Sequence, residues 1–155
     1  MDCNSWIGLF LISNGNYTIY HRGVEGGVTE YGLQKAKAVY EEHIKSIKKA
    51  YHGGVKIALS MDFCDPNLIP NGKNAKELAL LVNKIGMTPL EAIMAATKIG
   101  AEALGLEQDL GTLEEGKKAD LLIINGNPLN KIEVLEDKNK IIMAMKDGQI
   151  LVDRR

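Results

Sequence analysis

The stretch Gly54-Val55-Lys56-Ile57-Ala58-Leu59-Ser60-Met61-Asp62 sets a carboxylate at the end of a short, nearly continuous apolar run. A carboxylate in that position can act as a general base or as a hard oxygen ligand to a divalent cation. Continuous apolar runs between helical segments belong to parallel sheets covered on both faces. In such sheets the carboxyl ends of the strands carry the chemistry, and Asp62 stands at that end. Asp also starts turns and caps the segment that follows. Position alone leaves both roles open for Asp62.

The other chemically able residues form no recognisable constellation. His21, His43 and His52 belong to no H-x-H or H-E-x-x-H pattern. His52 precedes Gly53-Gly54 and reads as the cationic end of a helix. His43 lies beside an apolar stripe, and His21 follows Tyr20 in a loop with no assigned role. Cys3 and Cys64 make neither a disulfide framework nor a C-x-x-C pair, which points to a reducing, cytoplasmic setting. The loop Gly23-Val24-Glu25-Gly26-Gly27 lacks the Lys-Ser/Thr of a P-loop and the spacing of a dinucleotide fingerprint.

The elements that must hold Asp62 follow from periodicity. At 155 residues the chain can build one ordinary core, and 45% hydrophobic with 25% charged residues is a globular composition. A net charge of -1 gives no footprint for nucleic acid or an anionic membrane. No apolar run approaches the roughly 18 residues needed to span a bilayer. Residues 6 to 12 fit a buried strand, and 17 to 20 a short extended piece. A long helix is expected from Thr29 or Tyr31 to Tyr51, with Leu33, Ala36, Tyr40, Ile44, Ile47 and Tyr51 on its apolar stripe and a Glu41–Lys45 pair outside. A second helix is expected from Asn74 to Ile85, with Asn74 as N-cap, Glu77 as its reciprocal partner and Gly86 as terminator. Thr88-Pro89-Leu90-Glu91 is a capping box opening a third, along which Leu90, Ile93, Met94 and Thr97 recur, with a short helical piece at 101 to 104 beyond it. From Leu110 the pattern changes to turns and strands: 119 to 124, 140 to 146, and 149 to 152 after the Asp147-Gly148 hairpin signal. The fold class is α/β, with a small β unit appended.

Taken together, five segments resemble the C-terminal portion of the metal-dependent amidohydrolases, in the branch with imidazolonepropionase-like and proline-dipeptidase-like enzymes. They are the run ending in Asp62, Asn74-Ala75-Lys76-Glu77-Leu78, Gly86 to Ala92 with Ala95-Ala96-Thr97, Leu104-Gly105-Leu106, and Leu110 to Leu121 continuing to Asn127-Pro128-Leu129. The resemblance covers about residues 33 to 152. It implies that residues 1-108 are the last two β/α units of a (β/α)8 TIM-type barrel, with 6 to 12 as strand seven and 55 to 61 as strand eight. Residues 109-155 would be the C-terminal half of the family's β-sandwich. It implies one or two divalent metals, zinc foremost, held chiefly by histidines upstream of this chain. Asp62 matches the aspartate that completes that site as metal ligand and takes a proton from the attacking water. The family pattern there is Gly-Thr-Asp, whereas this chain has Ser60-Met61-Asp62.

The expected function is therefore that of a C-terminal fragment of an amidohydrolase acting on a C–N bond in a cyclic amide or dipeptide-like small molecule. One carboxylate does not make a catalytic zinc site, which takes about three protein ligands. The chain alone is thus expected to be inactive, as a piece of an amidohydrolase through a split or mispredicted gene, a truncation, or a complementing chain that supplies the histidines. The alternative is a non-catalytic vestigial module that self-associates as a homo-oligomer or binds a partner, covering its strand edges.

Overall fold

The computed structural model describes residue 23, residues 28–60 and residues 72–155. The expected strand at 6 to 12, the extended piece at 17 to 20, His21, both cysteines and Asp62 lie outside the described residues.

Helix α1 is Glu30–His52. Thr29 caps it, its hydroxyl accepting from the Gly32 N–H at 3.1 Å. Ala36, Tyr40 and Ile47 of the expected stripe are buried, and Ile44 and Tyr51 pack against the core beside them. The surface pair differs from expectation: Lys45 meets Glu42 at 2.7 Å, three residues away, rather than Glu41. Both steps bring side chains together on a helix, and the exposed lysine takes the nearer carboxylate. The helix ends at His52 as expected. Gly54, at φ 78, then reverses the chain, and the Val55 N–H donates back to the Ala50 carbonyl at 3.0 Å.

The second helical segment begins later than its cap signal implies. Helix α2 is Lys76–Leu80 and runs into a π turn, Leu81–Ile85, closed by Gly86 at φ 94. Its N-cap is Ala75, and no side chain caps it. Asn74 meets Glu77 only through the backbone, the Glu77 N–H donating to the Asn74 carbonyl at 3.0 Å. Glu77 is fully buried instead of reaching back to the helix start. Its place four residues before Leu81 puts it on the buried face, and that overrides the capping pattern.

Helix α3, Pro89–Ala96, opens on the expected capping box, with Thr88 and Glu91 bonded in both directions. Its core-facing residues are Ala92 and Ala95, at 0% and 1% exposure, whereas Leu90 is 53% exposed. Small side chains here let neighbouring backbone approach closely. The helix breaks at Thr97, whose hydroxyl donates to the Ile93 carbonyl at 2.7 Å, and α4 follows at Lys98–Ala103. The core joins Ile47, Ile57, Leu81, Ile85, Met87 and Ala92 into one cluster.

The last third forms a three-stranded antiparallel sheet in the order β1-β2-β3, where β1 is Leu121–Ile124, β2 Ile141–Lys146 and β3 Gln149–Asp153. Asp147 and Gly148 both have positive φ, 50 and 77, as a type I′ hairpin requires. Two bulges interrupt the ladders, one leaving Ile142 unmatched on β2 and the other leaving Leu151 unmatched on β3. Between β1 and β2 lie two 3-10 turns, Ile132–Glu136 and Lys138–Lys140. Ile132 carries the first of them into the helical core at 2% exposure. The Leu110-Gly111 turn is fixed by close contact. Gly111 has φ 93, and a Cβ there would stand 2.7 Å from the Ala101 Cβ and 3.1 Å from the Thr97 carbonyl oxygen.

Two stability outcomes follow. Gly111→Ala should destabilise the chain by more than about 1 kcal/mol, since the left-handed backbone and the contact both oppose a side chain, whereas Thr88→Ala should cost about 1 kcal/mol through loss of the cap. Thermal and urea unfolding of both variants would check this. Hydrogen bonds from Thr88, then from Tyr51, hold the Glu91 carboxyl below the ordinary value of 4.5. Its contribution is therefore present above pH 4.5 and lost as pH falls through the lowered value. The stability gap between wild type and Glu91→Gln should close on acidification and be largest near neutrality, as measured by urea midpoints across pH.

Candidate functional site

The apolar run before Asp62 enters between two helices. Ile57 and Ala58 are each 2% exposed. The Leu59 N–H donates to the Ala95 carbonyl of α3 at 2.9 Å, and Lys56 pairs with Glu102 of α4 at 2.9 Å. Residues 55 to 60 carry a single bridge, at Leu59, and no ladder among the described residues. A strand needs partners on its edges to be one, and none of the described residues supplies them. The description stops at Ser60, two residues short of Asp62.

At the opposite, entry end of this segment lies a groove of about 560 Å³. Val55, Ile57, Met87, Met94 and Ile99 supply its apolar lining, and Tyr51, His52, Lys56 and Glu91 its polar groups. One Glu91 oxygen, Oε2, accepts from the Thr88 N–H at 2.8 Å, the Thr88 hydroxyl at 2.6 Å and the Tyr51 hydroxyl at 2.9 Å. These bonds keep the carboxylate ionised, and the bond to Glu91 raises the Tyr51 phenol. An ionised, thrice-bonded carboxylate and a phenol further from ionisation are poor proton acceptors and nucleophiles at neutral pH. Their work is to join α1 to α3.

Two of the three histidines, His43 and His52, are among the described residues. His52 is exposed at the end of α1. His43 is half-buried, burial lowers its pKa, and its Nε2 has no hydrogen-bond partner among the described residues. Among those residues no three His, Cys, Asp or Glu side chains are grouped to hold a metal ion. The described donor set therefore does not fit a metal by itself.

Sequence reasoning passed over the burial of Glu77, having read it as the reciprocal partner of an Asn74 N-cap. An acid that far from water is kept only with a polar partner, and Glu77 does have a polar interaction. The available signal was its i,i+4 relation to Leu81 on the apolar face of the helix.

Comparison with known proteins agrees with this layout. The profile described as "Amidohydrolase family" matches residues 15–151. Ochratoxinase of Aspergillus niger is 35% identical over 147 residues, covering 94% of this chain and 28% of that protein. Imidazolonepropionase of Geobacillus thermodenitrificans is 36% identical over 106 residues, covering 68% of this chain and 25% of that protein. Among solved structures, an Xaa-Pro dipeptidase with methionine bound in its active site superposes with a TM-score of 0.76 at 34% identity, covering 90% of this chain and 33% of that one. The chain thus spans between a quarter and a third of the length of these relatives. With a family match across most of its length and likenesses in both sequence and fold, the chain belongs to the amidohydrolase family.

Proposed function

We propose that this chain forms the C-terminal part of a metal-dependent amidohydrolase and that Asp62 is what it brings to the chemistry. In this reading residues 1-108 are the last two β/α units of the barrel, and residues 109-155 are half of the β-sandwich. Asp62 is both a ligand-capable carboxylate and the base that accepts a proton from the attacking water. The reaction is hydrolysis of a C–N bond in a small cyclic amide or dipeptide-like substrate, in the cytoplasm. The observation that carries the proposal is the run 55 to 60, buried at Ile57 and Ala58 and tied to α3 through Leu59 and Ala95, inside a family match from 15 to 151. It leads straight into the only acid matching the family's last-strand position.

The described residues do not fit a metal, so no step is derived through one. A zinc ion or another divalent cation would supply a Lewis acid if other donors joined Asp62. Because a catalytic zinc takes about three protein ligands, residues 1-155 by themselves are assigned no hydrolysis, and the histidine donors lie in the remainder of a longer polypeptide or in a complementing chain.

A second reading, self-association as a non-catalytic module, is favoured by a separate observation. The small sheet is open at both edges among the described residues and exposes Leu122, Ile123, Ile150 and Leu151, each at 45% or more.

The first reading is tested by complementation. The purified chain with added zinc should not turn over an Xaa-Pro dipeptide or an N-acyl amino acid. Co-expression with the remaining N-terminal part of the Aspergillus niger ochratoxinase should restore hydrolysis, and Asp62→Asn in that pair should lower the rate about 10²–10⁴-fold. Turnover by the lone chain, or an Asp62→Asn pair as active as wild type, would overturn the assignment.

A further inference from the structure

Two dipeptides among the described residues place a glycine directly after an amide or carboxylate side chain: Asn125-Gly126 at the end of β1 and Asp147-Gly148 in the hairpin. Such a pair can cyclise, because no side chain on the glycine blocks its nitrogen from the side-chain carbonyl before it. The structure separates the two. The Gly148 N–H donates to the Ala119 carbonyl at 3.2 Å, and the Asp147 N–H donates to Asp120 Oδ1 at 2.6 Å. Both nitrogens of the hairpin are engaged.

Asn125 is held differently. Its own N–H donates to the Lys140 carbonyl at 2.7 Å, just beyond the β1 ladder. Neither its side-chain amide nor the Gly126 N–H makes a hydrogen bond among the described residues, and both residues are exposed in this chain. The neighbouring asparagines lack that freedom. Asn127 precedes Pro128, which has no N–H to react, and its side-chain oxygen accepts from the Leu129 N–H at 2.9 Å. Asn130 precedes Lys131, whose N–H donates to the Asn127 carbonyl at 3.1 Å.

Packing dictates the glycine. Gly126 has φ 151, and a Cβ there would stand 2.6 Å from Val134 Cγ2. Val134 belongs to the 3-10 turn Ile132–Glu136, which also carries Ile132 into the helical core. Seating that turn therefore gives Asn125 the one successor whose nitrogen is unshielded.

We propose that Asn125 of this 155-residue chain is a site of deamidation through a cyclic imide with Gly126. The Gly126 nitrogen gives its proton to solvent base and bonds to the Asn125 Cγ, while the Cγ–Nδ2 bond breaks and ammonia leaves. Water then opens the ring. Hydrolysis at Cγ leaves aspartate, and hydrolysis at the Asn125 main-chain carbonyl leaves isoaspartate, with the backbone running through Cβ and Cγ. Isoaspartate thus inserts a methylene between the Lys140 bond and the Val134 contact. Gly126 can then no longer sit as it does against Val134, and the turn that seats Ile132 loosens. The reaction needs water and no partner, and it is independent of Asp62 and of self-association.

The test uses the full chain, aged in mildly alkaline buffer. The tryptic peptide 119–131 should gain the amide-to-acid mass increase at Asn125 and not at Asn127 or Asn130, with isoaspartate in excess over aspartate. Asp147 should stay unisomerised, and Asn125→Gln should abolish the change in that peptide. The aged chain should melt lower as its isoaspartate content rises, whereas Asn125→Asp, which adds the charge without the methylene, should melt as wild type does. Asn125 left intact, or the change found at Asn127 or Asn130 instead, would overturn the site. Melting that ignores the isoaspartate content would overturn its link to Val134.

Discussion

The Glu91 carboxylate is the joint on which the helical layer depends. One of its oxygens ties the start of α3, through Thr88, to the end of α1, through the Tyr51 hydroxyl. Those helix ends then flank the point where the extended segment begins, with Val55 bonded back to Ala50 and Leu59 bonded to Ala95. The alanines at 92 and 95 are a consequence of the same arrangement. A larger residue at either position would hold the segment away from α3 and break the backbone bond. The apolar cluster around Ile47, Ile57 and Leu81 fills the space that this joint defines.

Much of this architecture was legible in the sequence because it rests on local rules. The apolar period of α1, the Thr88–Glu91 box, the glycine stop at Gly86 and the Asp147-Gly148 hairpin each have a signature within a few residues. What escaped was decided by tertiary contact. Asn74 and Glu77 have the spacing of a cap, but burial of Glu77 was settled by the face that Leu81 occupies. The 3-10 turn that sends Ile132 into the core has no periodic pattern to announce it. Leu90 sits in an apolar sequence yet is exposed, because the alanines of α3 win the close approach.

The candidate site was legible in a different sense. Its chemistry could be inferred from the type of residue ending the run and from the resemblance of the segments around it, both of which are one-dimensional signals. A metal centre is assembled from residues far apart in sequence, so a chain spanning a quarter to a third of its relatives carries a share of the signal and no more. In the run that precedes Asp62, Ile57 and Ala58 are buried and Leu59 is anchored to the Ala95 carbonyl. The groove at its other end holds the Tyr51–Glu91–Thr88 hydrogen-bond junction, which joins α1 to α3.

The Tyr51–Glu91 bond also has a bearing on how the protein can change over generations. It closes a span of 40 residues, and the chain between its ends includes Asp62. Closing such a span costs entropy that grows only with the logarithm of its length, so doubling it adds about 0.6 kcal/mol. Residues can therefore be gained or lost inside the span at little expense to the helices that close it. A hydrogen-bonded clasp, with inexpensive variation in the chain between its two ends, suits a scaffold that changes its sequence there without relearning how to fold.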